Sequence, residues 1–164
     1  IFLPLLLPLA ILLRLTTGAA FAPVTRLAGA DGRTPVTFWH LNSRLPLGAR
    51  SRVATLVDNL ELYRLPELWA VLCGQISLVG VKPLSTAEAE WVTQEWYQTR
   101  YEQPAGFTGL WYVQGEEAAG DIEATLIADS FYSATRTWRE DLRLLFRTPS
   151  AWWKRVQTRR HRGN

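Results

Sequence analysis

Thirteen apolar positions in succession, Ile1 to Leu13, precede the first charge at Arg14. That run falls short of the roughly 20 residues a spanning helix needs, and Pro4 and Pro8 each remove a backbone donor inside it. The pattern predicts a bent helix over residues 1–20, kinked at Pro8, that enters a bilayer and returns. Two other readings remain, the truncated end of a spanning helix and the core of a signal peptide. The second lacks a small-residue cleavage pattern leading into a domain free of membrane features. Gly18 to Pro23 reads as the exit from the membrane. Val36 to Leu41 reads as a short strand reached through a tight turn at Ala30-Asp31-Gly32. A helix is expected over Val53 to Leu62. Pro66 then suits the first turn of another, whose Leu65, Leu68, Trp69, Val71 and Leu72 cover a broad apolar face. Ser85 and Glu88 have capping-box spacing, which predicts a helix from there to about Tyr101. Gly106 to Gly115 reads as loop and strand. Helical periodicity returns over Asp121 to Arg147, and Pro149 is expected to end it.

At 164 residues the chain fits one compact unit, residues 21–164, behind the membrane segment. A lone Cys73 permits no internal disulfide and, in an apolar helical context, reads as buried filler. The chain has no methionine, even at position 1, which predicts a piece of a longer reading frame. The net charge of +3 gathers at the end, in Lys154, Arg155, Arg159, Arg160, His161 and Arg162. With Trp152 and Trp153 before it, this basic tail suits an anionic leaflet, or else is simply a frayed, solvated end. It does not point to nucleic acid. Trp91, Trp96, Trp111 and Trp138 read as packing residues rather than sugar-stacking ones. His40 and His161 make no ligand set at zinc spacing, so no metal site is expected.

One stretch narrows the function. Leu62-Tyr63-Arg64-Leu65-Pro66-Glu67-Leu68-Trp69-Ala70-Val71, followed by Ile76-Ser77-Leu78-Val79-Gly80-Val81-Lys82-Pro83, resembles the bacterial sugar transferases, the small-core phosphoglycosyl transferases. Their usual pattern is L-D-E-L-P-Q-L-W-N-V-L and then S-L-V-G-P-R-P. Gly106 to Gly115 is similar to the family's P-G-I-T-G-L-W-Q-V-S-G-R. Val36 to Ser43 follows F-T-L-W-K-L-R-S with one residue of slack.

The resemblance implies transfer of a sugar-1-phosphate from a nucleotide sugar to polyprenyl phosphate, with the Asp of the Asp-Glu pair as nucleophile and the Glu assisting with Mg²⁺. A carboxylate can attack phosphorus while the metal offsets phosphate charge. Here Tyr63 and Arg64 stand at the pair's positions. Arginine cannot ligate Mg²⁺ and can only put a positive charge where the metal would sit. Glu67, three and four residues on, is the nearest carboxylate substitute, whereas Glu61 and Asp58 read as solvated surface groups. Lys82 replaces the P-R-P arginine and is the one phosphate-binding candidate retained. His40, Asn42 and Glu116 replace further charged positions. Packing positions are kept and chemical ones changed.

The resemblance, with the pattern of elements, implies an α-rich α+β phosphoglycosyl transferase-like domain with a re-entrant N-terminal helix, on the cytoplasmic face of a bacterial inner membrane. A pseudoenzyme of glycan biosynthesis is expected, needing no cofactor of its own and binding membrane lipid, polyprenyl phosphate, a nucleotide sugar or a paralogous transferase. An active enzyme with displaced catalytic groups and a structural membrane adaptor are the alternatives.

Overall fold

The computed structural model describes residues 21–42, 52–114 and 121–162. The re-entrant segment and Glu116 lie outside them. Strands β1 (Phe21–Ala28) and β2 (Thr34–Leu41) pair antiparallel, Phe21 opposite Leu41 and Ala28 opposite Thr34. The turn between them closes because Asp31 accepts from the Arg33 and Thr34 amides, each at 3.0 Å. Gly29 and Gly32 supply its left-handed positions, at φ 80° and 62°. The strand expected at Val36 thus begins two residues sooner, and residues read as a membrane exit at Phe21 to Pro23 belong to its partner.

Helix α1 (Arg52–Asn59) leads through a 3₁₀ turn at Leu62–Arg64 into α2 (Glu67–Leu72), with Pro66 as N-cap. β3 (Ser77–Val79) pairs parallel with β4 (Gly106–Thr108). Three glycines make that crossing possible. A Cβ on Gly80 would lie 2.2 Å from the Pro104 carbonyl oxygen, one on Gly106 2.2 Å from the Gly80 nitrogen, and one on Gly109 2.0 Å from the Gly80 oxygen. The ribbon joins this sheet through mutual backbone bonds of Leu27 and Leu84, at 2.7 and 3.2 Å.

The capping box forms as expected: Ser85 Oγ accepts from the Glu88 amide, and the Glu88 carboxylate accepts from the Ser85 amide. The helix it starts, α3 (Thr86–Ala89), is nevertheless one turn long, and a 3₁₀ helix covers Glu95–Glu102. Tyr97 and Arg100 are the buried positions there, and residues three apart eclipse one another on a 3₁₀ helix. After β4 comes α4 (Leu110–Val113), where loop and strand were expected. The long periodic stretch divides into α5 (Ile122–Thr135) and α6 (Trp138–Arg162), and Pro149 lies inside α6 rather than ending it. Packing beyond the proline holds the helix on, since Ala151, Arg155 and Val156 are buried. The basic end is therefore helical, and Arg155 is not part of a solvated tail. Cys73 caps α2 and is exposed. Trp111 is buried, but Trp91, Trp96 and Trp138 are 64, 45 and 68% exposed, so packing does not explain those three.

The chain is mixed α and β with helix predominating, and none of its described helices is long and apolar enough to cross a membrane. Beneath the sheet crossing lies a buried ion pair. Arg100 donates to Asp129 at 2.9 Å, and the two side chains are 0 and 1% exposed. Asp129 also accepts from the Lys82 amide at 3.1 Å, and Arg100 donates to the Lys82 carbonyl at 2.5 Å. Burial pushes the Asp129 carboxyl up to about 6, with Arg100 opposing the shift. Both backbone groups of Lys82 are thus fixed by one charge pair. Removing one partner of a buried pair strands the other charge, which typically costs about 3–5 kcal/mol. Asp129→Ala should lower unfolding free energy in urea by that order; a loss under about 1 kcal/mol would mean the pair is not what seats Lys82.

Candidate functional site

The turn after α1 is built around a residue in an unusual conformation. Glu61 has φ 52° and ψ 22°, the left-handed region, without being glycine. A non-glycine residue there is strained by about 1 kcal/mol or more and persists only if its surroundings hold it. They do: Glu61 Oε2 accepts from the Tyr112 hydroxyl at 2.6 Å, and Oε1 lies 3.8 Å from Arg155 Nη1. Arg155 also donates to the Tyr112 carbonyl at 3.1 Å and lies over its ring. Burial, reinforced by Glu61, raises the Tyr112 phenol well above its ordinary pKa, so it stays a donor. The solvated reading of Glu61 is thereby corrected, because the residue is buried at 6% exposure.

Arg64 follows one turn on. Its Nη2 donates to Glu67 Oε2 and to the Phe107 carbonyl, both at 2.8 Å, and its Nε lies 3.2 Å from each Glu67 oxygen. The guanidinium also faces the rings of Phe107, Trp111 and Tyr112 at 5.0 to 5.5 Å. Glu67 accepts from a second residue, His40 Nε2, at 2.6 Å. Burial alone would push the Glu67 carboxyl up, but Arg64 outweighs it, helped by His40, and holds the group below the usual carboxylate range. It is ionised and spoken for. Tyr63 meets the His40 ring edge-on with centroids 5.5 Å apart.

Lys82 approaches from the sheet crossing. Its Nζ donates to Glu88 Oε1 at 2.7 Å, while Glu88 Oε2 takes Arg26 at 3.3 Å. Against burial, the Lys82 bond and the Ser85 amide hold the Glu88 carboxyl down at about 2. Since that is below its unfolded value, this link is complete above the ordinary carboxylate range and is lost only as pH falls towards 2.

Tyr63, Arg64, Glu67 and Lys82 thus line one pocket of about 230 Å³, together with Arg26, His40, Glu61 and Arg155. Four fixed cations face the two lining carboxylates and Glu88, which Lys82 and Arg26 share, leaving one positive charge in excess, so the pocket favours an anion, and guanidinium groups suit phosphate oxygens in particular. Arg26 lies outside the matched segments and gives no sequence signal, while Glu61 and Arg155, expected at a solvated surface and in the basic tail, are buried. The wall formed by Glu61 and Arg64 also borders a second, apolar chamber of about 400 Å³, lined by Leu62, Leu65, Phe107, Pro149 and Trp152 among others. Trp152 points inward, with its Nε1 donating to the Leu60 carbonyl at 2.8 Å, and only Trp153 is exposed.

A Mg²⁺ ion does not fit the pocket's carboxylates. Glu67 already binds a guanidinium bidentately, and Glu61 is held between a phenol and Arg155. The metal would have to enter beside Arg64 and displace it. Among the described residues, no three carboxylate, histidine or cysteine side chains gather as a ligand set.

A family model described as Bacterial sugar transferase matches residues 1–155. The chain is 33% identical over 98 residues to a UDP-galactose-lipid carrier transferase of Erwinia amylovora, a stretch covering 60% of this chain and 20% of that protein. It is 32% identical over 111 residues to an undecaprenyl-phosphate galactose phosphotransferase of Salmonella typhimurium, covering 67% and 23%. It is 32% identical over 104 residues to a UDP-glucose:undecaprenyl-phosphate glucose-1-phosphate transferase of Caulobacter vibrioides, covering 60% and 39%. The matched stretch therefore spans well under half the length of these curated relatives.

The Arg64–Glu67 pair makes its own prediction. Glu67→Gln should cost about 3 kcal/mol of stability, because it leaves a buried guanidinium without its counter-charge. Arg64→Met added to it should recover part of that loss, so the two effects are non-additive by more than about 0.5 kcal/mol. Strict additivity in a denaturation cycle would show the two side chains to be uncoupled.

Proposed function

The chain belongs to the bacterial sugar transferase family, and on that premise we propose that it binds the family's phosphate-bearing substrates without turning them over by the acid-pair chemistry. The observation that carries this reading is the Arg64–Glu67 pair. Where the resemblance places a nucleophile and a metal-assisting carboxylate, this chain has Tyr63 and a guanidinium locked to Glu67. Arg64 supplies in fixed form the positive charge that Mg²⁺ would supply, so phosphate oxygens have a partner but phosphorus has no available carboxylate to meet.

The two chambers favour an amphiphile. A polyprenyl phosphate would place its head against Arg64, Arg26 and Lys82, with the first part of its tail beyond Arg64 among Leu62, Leu65 and Trp152. A nucleotide sugar would use the cationic chamber alone. In this reading the chain sits on the cytoplasmic face of a bacterial inner membrane, anchored by a re-entrant helix at residues 1–20 with its break at Pro8. It serves glycan synthesis as a binding or partner subunit to a paralogous transferase.

A second reading, a working transferase with displaced groups, draws support from one observation: Glu61 and Glu67 both line the cationic chamber. Turnover separates the two. The purified chain, incubated with a UDP-sugar, undecaprenyl phosphate and Mg²⁺, should release no UMP above a protein-free control. Mg²⁺-dependent release that disappears in Glu61→Gln, Glu67→Gln or Tyr63→Phe, with the fold of each checked by circular dichroism, would overturn the binding-subunit reading and identify the nucleophile.

A further inference from the structure

Helix α6 leaves a long apolar face uncovered. At about 100° per residue, Trp138, Leu142, Phe146, Pro149 and Trp153 fall within a sector of about 80°. All five are exposed, Trp138 by 68% and Phe146 by 79%. The column ends there, because Val156 on the same line is covered. The core-facing side is a different sector, formed by Leu144, Ala151 and Arg155. Isolated apolar side chains at a surface are ordinary, but five aligned along about 22 Å of helix form a continuous patch.

What borders the patch identifies its partner. Arg139, Arg143, Lys154 and Arg147 occupy the adjoining sector of about 80°, and all are exposed. The only acids in the helix are Glu140 and Asp141. Glu140 pairs with Arg143 at 3.2 Å, while Asp141 accepts from Tyr132 and Arg136. An apolar strip ending in tryptophan at both ends, flanked along one side by cations, matches a bilayer surface. The strip enters the headgroup boundary and the cations meet anionic headgroups. A second protein copy would bring the same cations against each other.

We propose that α6 is an interfacial helix lying along an anionic lipid surface on its Trp138–Phe146–Trp153 face, with Arg139, Arg143, Arg147 and Lys154 at the headgroups. This docking surface is distinct from the cationic pocket, and it stands whether or not that pocket turns over a substrate.

The test is a local probe, so that binding through residues 1–13 cannot imitate it. On a Cys73→Ser background, Phe146→Cys and, separately, Thr158→Cys are labelled with an environment-sensitive dye in the full chain. Vesicles of phosphatidylcholine with one quarter phosphatidylglycerol are then added. The dye at position 146 should shift to the blue and be quenched by lipid carrying a nitroxide high on its acyl chain. The dye at 158, on another face, should stay water-like. Arg139→Gln with Arg147→Gln should weaken vesicle binding by roughly 25-fold, about fivefold for each cation removed. Protein floating with vesicles while the 146 dye stays water-like would overturn the proposal. So would equal shifts at both positions, or a shift at 146 that follows protein concentration without lipid, which would assign the face to a second copy.

Discussion

A guanidinium held out of water requires a counter-charge, and in this protein that requirement draws the elements together. Arg64 lies over three aromatic rings and is tied to three elements: to α2 by Glu67, to β4 by the Phe107 carbonyl, and through Glu67 to β2 by His40. Behind it, Tyr112 of α4 and Arg155 of α6 secure Glu61. The desolvation of an unpaired charge would exceed what one ordinary hydrogen bond returns. The turn between α1 and α2 can therefore take its left-handed conformation at Glu61 only because both its acid and its base are satisfied from other parts of the chain.

The opposite wall is set by backbone rather than charge. Gly80, Gly106 and Gly109 permit the segments carrying Lys82 and Trp111 to cross closer than any side chain would allow. The Arg100–Asp129 pair then fixes the amide and carbonyl of Lys82, leaving its ammonium to Glu88. Cations consequently face the cavity from β1, the 3₁₀ turn, the sheet crossing and α6. No single segment carries enough of them to be recognised.

That dispersal explains what was legible in the sequence. Local signals read well: the Asp31 turn, the strand that ends at Leu41, the Ser85–Glu88 capping box and Pro66 at a helix start each depend on neighbours within a few residues. Tyr63, Arg64, Glu67 and Lys82 sit inside matched motifs, and the fold brings all four to one pocket. Glu61 and Arg155 were misplaced because their burial comes from contacts 51 and 43 residues distant with Tyr112. Pro149 signals a stop in the sequence, and the packing of Ala151 and Val156 that carries the helix past it leaves no local trace. The end of the helix at Ala89 has no such signal, since a capping box marks where a helix begins and says nothing of its length. Trp138 looked like core by size alone, yet it heads an uncovered column whose alignment only the helix continuing past Pro149 reveals.

In the proposed function, Arg64 supplies permanently the positive charge for which the resemblance implies a metal. The direct measure of this role is calorimetric titration of the purified chain with UDP-glucose, UDP-galactose and undecaprenyl phosphate, once with Mg²⁺ and once with excess EDTA. The account predicts binding of at least one of them with the same affinity in both buffers, and its loss in Arg64→Met. Binding that requires Mg²⁺, or that survives Arg64→Met unchanged, would contradict it.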